Sequence, residues 1–475
     1  MTDWVDSELE TLELGDERRK RRYAKLLRQL QSHAESSTAA VRGDDAQLTG
    51  TYRLMNNVAF DHHALFAAHN DAAIRRATEQ AWVILTSDTT VVDLTKPSRQ
   101  VADAGPLESE NKFGFFYHPI YAVTPEGLPL GCVDQFIWTR RSIRRDRTAA
   151  ERSAQLGSTP LELKESCRWL ELHQRCEQLA RADPTTRYVA VSDSESDIYE
   201  VLREAEDAAE NFDYVLRGCH DRRVFTDRGD KATVVSEALG AVGIGESFEV
   251  EVSQRRALVN HERRARRRDR DGRIAKVSVR SIGVRVAAPA GAWGKSTTAA
   301  NLVEVFERDS PEDCEPIRWI LWTSLPIDSV EAVRRVISAY CRRWDIEVFF
   351  KTLKSGMGLE KLKYRTLEAY LKMTAALVGV AWRVEQLKGA CRVCPERSCD
   401  EFFEGSFWSA VMSVLGGGVA PEDPPTIAQF AEKIASLGGY LANKGKGPPG
   451  SMTLWRGLQT ARAYHEAYLA LVGPP

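Results

Sequence analysis

The alternation of apolar and polar positions predicts strands in the middle of the chain. Residues 81–94 (AWVILTSDTTVVDL) contain an apolar strand that ends at Asp88, and residues 113–140 contain two strands joined by a Pro-Glu-Gly turn. Residues 187–205 contain an apolar strand, an aspartate at its end (Asp193) and a helix. The pattern predicts an α/β fold in which two strands each end at an aspartate.

Helical periodicity predicts α-helices at both ends of the chain. Residues 1–70 read as short helices, of which the one at 18–30 is amphipathic and basic, and residues 373–475 are predicted to be helical as well. The last helix has apolar residues three or four positions apart, namely Leu454, Leu458, Ala461, Tyr464, Tyr468 and Leu471. This stripe either packs inside its own domain or forms a contact between subunits.

Strand patterns return between the second aspartate and the later helices. Residues 205–325 are predicted to form an all-β insertion within a core that spans residues 71–372. Basic runs occur in this insertion, at 255–273, and near the amino terminus, at 17–29. Local basic segments suit a protein that binds nucleic acid at chosen places, and solvated charge runs are the simpler alternative.

Residues 340–354 (YCRRWDIEVFFKTLK) place charged and aromatic side chains on one face of a predicted helix. At about 3.6 residues per turn, a sector of roughly 80° contains Tyr340, Arg343, Glu347, Lys351 and Lys354. An exposed helix with i,i+4 ion pairs would show the same pattern. The face nevertheless offers a third carboxylate, Glu347, beside the two strand-end aspartates.

Carboxylates at the carboxyl ends of strands lie where open α/β sheets bind ligands. If Asp88, Asp193 and Glu347 converge, they repel one another unless a divalent cation neutralises them, and oxygen ligands favour Mg²⁺ or Mn²⁺. Two such ions about 3.5–4 Å apart are the arrangement used for phosphodiester chemistry. The arginine and lysine side chains on the same helix face would then contact the phosphates of a nucleic acid strand.

Composition and charge limit the class of protein. The chain has 475 residues, of which 43% are hydrophobic and 28% charged, as in globular proteins of several domains. A net charge of −2 argues against indiscriminate coating of nucleic acid. No apolar run approaches the roughly 18 residues that span a bilayer, so we expect a cytoplasmic protein without a membrane partner. A zinc site at Cys391, Cys394 and Cys399 lacks a nearby fourth ligand, and we expect reduced thiols.

Residues 340–354 also match a known signature. Their spacing, Y-x2-R-x3-E-x6-K, resembles that of the bacterial DDE transposases of insertion sequence family four, which include the transposon five enzyme. SDTT at 87–90 and SDSESDIY at 192–199 resemble the two aspartate motifs of that family. Segments at 14–19 and 437–457 are similar to its amino- and carboxyl-terminal segments, so the resemblance covers nearly the whole chain.

The resemblance implies a ribonuclease-H-like mixed sheet interrupted by the insertion, between an end-binding domain at 1–70 and a dimerisation domain at 373–475. It implies a cut-and-paste DNA transposase in which Asp88, Asp193 and Glu347 are the catalytic metal ligands for two Mg²⁺ ions, with Mn²⁺ able to substitute. The partners would be double-stranded DNA, both transposon ends and target, and a second copy of the chain. We expect the protein in the bacterial cytoplasm, on the nucleoid when DNA-bound.

Several side chains are predicted to contact DNA. The basic amino-terminal helix would bind the transposon end, and the resemblance implies that Arg217, Trp319 and Trp344 line a pocket for a flipped base. The complete predicted set is Arg18, Arg19, Arg22, Lys25, Arg217, Trp319, Tyr340, Arg343, Trp344, Lys351 and Lys354.

Two alternative functions stay open at this point. One is a nuclease of the same core fold that cuts DNA without joining it, and the other is an inactive DNA-binding regulator of transposition. The three intact carboxylates and the basic amino-terminal helix argue against the regulator, which needs neither for its role.

Overall fold

The computed structural model describes residues 3–32, 45–96, 100–107, 111–140, 167–226, 231–252, 272–289, 297–311, 316–416, 418–441 and 448–472. The backbone divides into two compact units. The first unit is Met1–Gln155 with Trp344–Pro475, and the second unit is Leu156–Arg343. The predicted basic run at 255–273 lies outside the described residues except for its last two positions.

The described residues form helices at both ends of the chain and strands between them. The helices are, in chain order, α1 (Trp4–Glu8), α2 (Glu17–Ser32), α3 (Asp45–Met55), α4 (His62–Thr78), α5 (Cys167–Ala182), α6 (Tyr199–Glu204), α7 (Val235–Gly240), α8 (Val330–Cys341), α9 (Trp344–Lys351), α10 (Leu367–Val393), α11 (Gly405–Leu415), α12 (Ile427–Leu437) and α13 (Ser451–Val472). The strands are β1 (Trp82–Ser87), β2 (Thr90–Asp93), β3 (Gly105–Pro106), β4 (Phe113–Val123), β5 (Pro129–Trp138), β6 (Arg187–Ser192), β7 (Phe212–Arg217), β8 (Arg223–Phe225), β9 (Thr233–Val234), β10 (Ser247–Val252), β11 (Arg273–Val286), β12 (Thr298–Glu307) and β13 (Arg318–Thr323). The predicted α/β class with helical terminal regions is confirmed.

In the first unit, β4 is the strand on which the others assemble. β1 and β2 both pair antiparallel with β4. Ser87 of β1 lies opposite Ile120 and Thr90 of β2 lies opposite Tyr117, so both strands follow one continuous register. The pairing is interrupted between the two strands, at Asp88 and Thr89. In that register Asp88 falls opposite Pro119, which has no backbone N–H to donate to a ladder. The first aspartate therefore lies at a gap in strand pairing.

In the second unit, the strands follow the order β6-β7-β13-β12-β11-β8-β9, and β10 pairs with β11. β6 and β7 are parallel, whereas the other pairs are antiparallel. β7 thus lies directly beside the strand that leads to Asp193, although the prediction had placed it in the insertion. The insertion is rich in strands but not all-β, because its Glu-Ala-Leu segment, favourable for helix, forms α7.

The predicted single helix over residues 340–354 is wrong. α8 ends at Cys341, and the turn that follows has short-range bonds from Arg342 N to Ala339 O (3.1 Å) and from Arg343 N to Tyr340 O (3.0 Å). A new helix, α9, starts at Trp344, and it continues into the π-helical turn Thr352–Gly356. The apolar residues of α8 are buried in the second unit and those of α9 in the first, so the change of packing partner coincides with the break.

A buried polar network connects the amino-terminal helices with α10 in the first unit. The Glu8 carboxylate accepts a hydrogen bond from Arg76 (2.8 Å) and lies 3.0 Å from His69 Nδ1. Burial opposes ionisation of Glu8, but Arg76 and His69 together hold its pKa below the usual value. The Arg76 guanidinium also lies 3.7 Å from the ring centre of Trp382. Helices from both chain ends therefore share one compact unit, and the proposed boundaries at residues 70 and 372 stay predictions.

Among the described residues, no helix is both long and apolar enough to cross a bilayer. The 27-residue helix α10 is instead buried along most of its length inside the first unit. It packs against α2, α4 and α13, and these contacts cover its apolar side chains.

α12 and α13 cross at two glycines that allow their backbones to touch. A Cβ atom at Gly457 would lie 1.9 Å from Ile434 O, and one at Gly438 would lie 2.0 Å from Thr453 O. Real Cβ atoms do not approach backbone atoms so closely, so larger residues here would force the helices apart.

We expect Gly457→Ala to lower the free energy of unfolding by about 3 kcal/mol, because the added methyl group must separate α12 from α13. Chemical denaturation followed by circular dichroism measures the loss. The matched control is Gly450→Ala, since a Cβ at Gly450 meets no atom within 4 Å. Equal unfolding curves for Gly457→Ala and the wild type would contradict the close crossing.

Candidate active site and DNA-binding residues

Asp88 is held at the end of β1 by local contacts. Its Oδ1 accepts a hydrogen bond from Thr89 N at 2.7 Å. Thr89 Oγ1 in turn lies 2.8 Å from Nδ1 of His118, a residue of β4 that is 1% exposed. The buried histidine thus fixes the segment that carries the first aspartate. Sequence reasoning missed His118, because it appeared as one polar position within an apolar strand pattern.

Glu347 is half-buried on α9, and the aromatic residues that follow it anchor this helix to β4. Phe349 stacks on Tyr121 with ring centres 4.7 Å apart, and Phe350 lies edge-on to Tyr117 at 6.3 Å. Since β4 also pairs with β1 and β2, the helix with the glutamate and the strand that ends at Asp88 pack on the same central strand. The first unit therefore positions two of the three predicted metal ligands.

The two lysines that follow Glu347 have different environments. Lys351 is exposed, and its contact with a phosphate stays a prediction. Lys354 is held within the protein, because its ammonium group donates to Val91 O at 2.6 Å and lies 3.2 Å from Glu360 Oε1. A structural role for Lys354 was not predicted.

Asp193 follows β6 in the second unit, as predicted, and begins a short 3₁₀ turn. Its Oδ1 accepts from Glu195 N at 2.9 Å. Ser192 and Ser196 hydrogen-bond each other beside it, at 2.6 Å. The helix predicted next forms only later, as α6, so the aspartate is presented on a tight turn.

The buried Asp197 is neutralised by protein groups. It accepts from Arg222 Nε (2.8 Å), Cys219 N (2.8 Å) and His220 N (3.0 Å). Ligand atoms of Asp197, Cys219 and His220 lie within 4.8 Å of one another, the spacing of a metal site. Burial and Asp197 raise the pKa of the Cys219 thiol, and Arg222 already supplies the positive charge. We therefore assign no metal to this cluster.

The zinc alternative finds no support in the positions of the cysteines. Among the described residues, Cys391, Cys394 and Cys399 do not form a group whose ligand atoms lie within 4.8 Å of one another. The Cys391 thiol donates to Leu387 O at 3.0 Å instead.

Tyr340 lies in the interior of the second unit rather than on an exposed face. It is 2% exposed and packs edge-on against Trp319, with ring centres 5.1 Å apart. Burial raises the pKa of Tyr340, and the nearby Arg217 and Arg343 partly offset this shift. The negative charge of Asp193 raises the pKa of Tyr340 further. The second unit thus gathers one predicted metal ligand with four of the predicted DNA-binding residues.

Arg343 and Trp344 differ in exposure although they are neighbours in sequence. Arg343 is only 6% exposed and belongs to the second unit, whereas Trp344 is 39% exposed and begins the first unit's α9. Among the described residues, Arg217 and Trp319 both lie near Tyr340, and the pocket that they would line stays a prediction. The contribution of Trp344 to that pocket stays a prediction.

The four basic residues predicted on the amino-terminal helix fall into two pairs. Arg18 and Lys25 face solvent. The Arg18 side chain is 83% exposed and pairs with Asp16. The other two make contacts inside the domain.

Arg19 donates to Leu14 O at 2.7 Å, and Arg22 donates to the backbone oxygen of Gln47 at 2.5 Å in α3. Gly50 permits this approach, since a Cβ there would lie 2.0 Å from the Arg22 guanidinium. A structural role of Arg22 in holding α2 to α3 was not predicted.

The donor set of the candidate site suits a hard divalent cation. Asp88 and Glu347 in the first unit and Asp193 in the second are half-buried carboxylates, so every donor atom is an oxygen. Mg²⁺ and Mn²⁺ prefer such ligands, whereas zinc prefers sulfur and nitrogen. Each of these carboxylates is therefore, by its chemistry, a suitable ligand for a metal of this kind, and their convergence stays a prediction.

Three family models match successive parts of the chain. Residues 1–60 match the family model described as transposase DNA-binding, residues 171–380 match the transposase DDE domain, and residues 379–470 match the transposase Tn5 dimerisation domain. Among solved structures, the chain is similar to the piggyBac transposase in a cryo-EM synaptic complex with hairpin DNA, with 10% identity and a TM-score of 0.35. That similarity covers 91% of this chain and 62% of the other.

The three family models succeed one another along the chain in the order of an end-binding, a catalytic and a dimerisation domain. The first and last models cover helical regions and the second covers β6–β13, whereas residues 61–170, with β1–β5 and Asp88, lie outside all three. This chain belongs to the DDE transposases of the Tn5 type.

Proposed function

We propose that the chain is the transposase of a bacterial insertion sequence, which cleaves DNA at the transposon ends and transfers the cut strands into target DNA. The observation that carries this proposal is the placement of Asp88 at a gap in strand pairing on β4, with the Glu347 helix anchored to that same strand. Asp193 provides the third carboxylate from the end of β6.

Divalent metal ions, proposed to be two Mg²⁺ with Mn²⁺ able to substitute, would activate the attacking oxygen and stabilise the leaving oxygen. Asp88, Asp193 and Glu347 would hold them. The packing of α9 on β4 and the Thr89–His118 contact keep two of these carboxylates in place before any ligand binds. Such preorganisation reduces the cost of assembling the site during the reaction.

The remaining residues of the site would position DNA. Lys351 is exposed at the end of the helix that carries Glu347 and would contact a phosphate. The half-exposed Arg217 and Trp319 would form a polar and aromatic wall over the buried Tyr340 and Arg343, near Asp193. A planar base stacks well on such a wall, which is why we retain the base pocket as a proposal.

The amino-terminal helices would bind the transposon ends through the solvent-facing side of α2. We expect Arg18→Ala and Lys25→Ala together to weaken end binding and to reduce the slope of log affinity against log salt by about two, roughly one for each lost phosphate contact. Fluorescence anisotropy at several salt concentrations measures both.

The matched comparison for this prediction is Arg22→Ala on the same helix. Because Arg22 contacts α3, we expect that variant to lower thermal stability while the salt slope of its folded fraction changes less. A salt slope that stays at the wild-type value in the Arg18→Ala, Lys25→Ala double variant would show that these residues are only solvated charges.

A second copy of the chain is the proposed partner for pairing two ends. Leu454, Leu458 and Ala461 of α13 are at most 1% exposed, so the first half of the predicted apolar stripe packs inside its own unit. Tyr468 is half-exposed, and Leu471 is 87% exposed. We propose that this outer half of α13 contacts the second copy, with the protein in the bacterial cytoplasm and on the nucleoid when DNA-bound.

The experiment that tests the proposed function uses DNA taken from the flanks of the gene. Inverted repeats found there are placed on a labelled duplex and incubated with the purified chain in Mg²⁺. We expect cleavage at the repeat boundary and joining of the cut ends to a second duplex. Cleavage without joining would favour the nuclease, and binding without cleavage would favour the inactive regulator.

A further inference from the structure

Strand β2 is tied to the segment that follows α9 by a set of polar contacts centred on Glu360. The Glu360 Oε1 atom accepts from Asp93 N at 3.1 Å and lies 3.2 Å from the Lys354 ammonium group. Lys354 also donates to Val91 O at 2.6 Å. Just beyond the strand, Lys96 donates to the backbone oxygen of Glu360 at 3.0 Å. One carboxylate therefore bridges a lysine, a strand and the turn after the helix.

The two segments joined in this way carry two of the proposed metal ligands. β2 begins at Thr90, immediately after the gap at Asp88 and Thr89. The π-helical turn that contains Lys354 continues directly from the helix that carries Glu347. Because strand β2 cannot shift along the helix without breaking the contacts of Glu360, the distance between the two ligand-bearing segments is constrained at this point.

Holding carboxylates near one another has a cost that such a constraint can offset. Two ionised carboxylates repel each other before a cation binds, and a mobile segment would relax away from that repulsion. Residues outside the ligand set that fix ligand orientation commonly strengthen metal binding by about 10–100-fold.

We propose that Glu360 is a positioning residue for the metal site, acting through Lys354 and the backbone of β2 to hold Asp88 and Glu347 in place. The inference rests on the proposed function, because it assumes that these carboxylates bind the metal. It gives Lys354 a second task besides its predicted contact with DNA. In this proposal Glu360 is not itself a metal ligand.

The test measures metal binding directly, without turnover. Mn²⁺ is titrated into the full chain bound to end DNA, and free Mn²⁺ is followed by electron paramagnetic resonance. We expect Glu360→Ala to weaken Mn²⁺ binding about tenfold. Glu360→Gln should give a smaller loss, since its amide oxygen still accepts from Asp93 N but no longer attracts the lysine charge.

A matched control is Glu401→Ala, which removes the carboxylate of a comparably exposed ion pair with Arg397, on the 3₁₀ turn after α10. It should leave Mn²⁺ binding unchanged. Mn²⁺ affinities of Glu360→Ala and Glu360→Gln equal to the wild type would overturn the proposal. If Glu360→Ala does not fold, the comparison of Glu360→Gln with Glu401→Ala decides it.

A cleavage assay separates failure of this inference from failure of the proposed function. With the positioning role, cleavage by Glu360→Ala should need about tenfold more Mg²⁺ for half-maximal rate and should recover when Mg²⁺ is saturating. A wild-type chain that cleaves DNA while the variant binds Mn²⁺ normally would refute the positioning role alone. A wild-type chain that binds Mn²⁺ but never cleaves would refute the function and leave the binding comparison valid.

Discussion

Asp88→Asn, Asp193→Asn and Glu347→Gln should each reduce strand cleavage about a thousandfold in Mg²⁺, equivalent to about 4 kcal/mol of transition-state stabilisation. Each substitution removes one negative charge from the proposed ligand set and keeps the size of the side chain. Binding of end DNA should stay close to wild type, because the exposed basic side chains of α2 are unchanged. Single-turnover cleavage and fluorescence anisotropy measure the two quantities on the same preparations.

The control for this series is Glu331→Gln, which changes an exposed glutamate in the first turn of α8 and should cleave normally. If one of the three variants retained near wild-type cleavage, that residue would not be a metal ligand. Loss of DNA binding in parallel with cleavage would instead indicate that the carboxylates act through the fold.

Tyr468→Asp and Leu471→Asp together should abolish the complex that holds two DNA ends, while the chain stays folded and binds a single end. The physical reason is that both side chains lie on the exposed half of α13, so the new charges would be buried only in a contact with a second copy. Since pairing of ends is proposed to precede cleavage, cleavage should fall as well. A native gel with labelled end DNA separates the one-end and two-end species.

Leu458→Asp serves as the contrast, because we expect it to disrupt the fold and not only the complex with two DNA ends. Leu458 is fully buried, so the charge would be placed inside the unit and the chain should unfold or lose binding of a single end too. A two-end band that persists in the Tyr468→Asp, Leu471→Asp variant would place the contact between subunits elsewhere.

The strand-end aspartates could be predicted because the signal for them is local. An apolar run of strand residues followed by a polar turn specifies where Asp88 and Asp193 lie, and both positions agree with the structure. The gap in pairing next to Pro119 could not be predicted, since it depends on the register between β1, β2 and β4. For the same reason His118 was missed, because its partner Thr89 lies between β1 and β2, distant from β4 in sequence.

The predicted helix over residues 340–354 failed because periodicity describes one helix packed in one environment. Here the apolar residues on either side of Arg343 pack in different units, and the chain forms a turn between them. The contacts of Arg22 with α3 and of Lys354 with β2 were also beyond prediction, since a basic side chain gives the same pattern whether it meets a phosphate or a carbonyl oxygen. Side-chain partners that are distant in sequence leave no periodic signal.

The apolar stripe of α13 could be predicted from the sequence, but its packing partner could not. The spacing from Leu454 to Leu471 predicted a helix with one apolar face, and α13 confirms the helix. The pattern left open whether that face packs inside or between chains. The structure divides it, with Leu454 and Leu458 buried inside the unit and Leu471 exposed near the end of the helix.

The central claim is that Asp88, Asp193 and Glu347 hold the same pair of divalent cations on DNA. Anomalous diffraction from crystals of the chain with end DNA and Mn²⁺ tests it most directly, since Mn²⁺ is located independently of activity. We expect two peaks about 3.5–4 Å apart with oxygens of all three carboxylates within coordination distance. Peaks that exclude any of the three carboxylates, or that lie at Asp197, Cys219 and His220 instead, would contradict it.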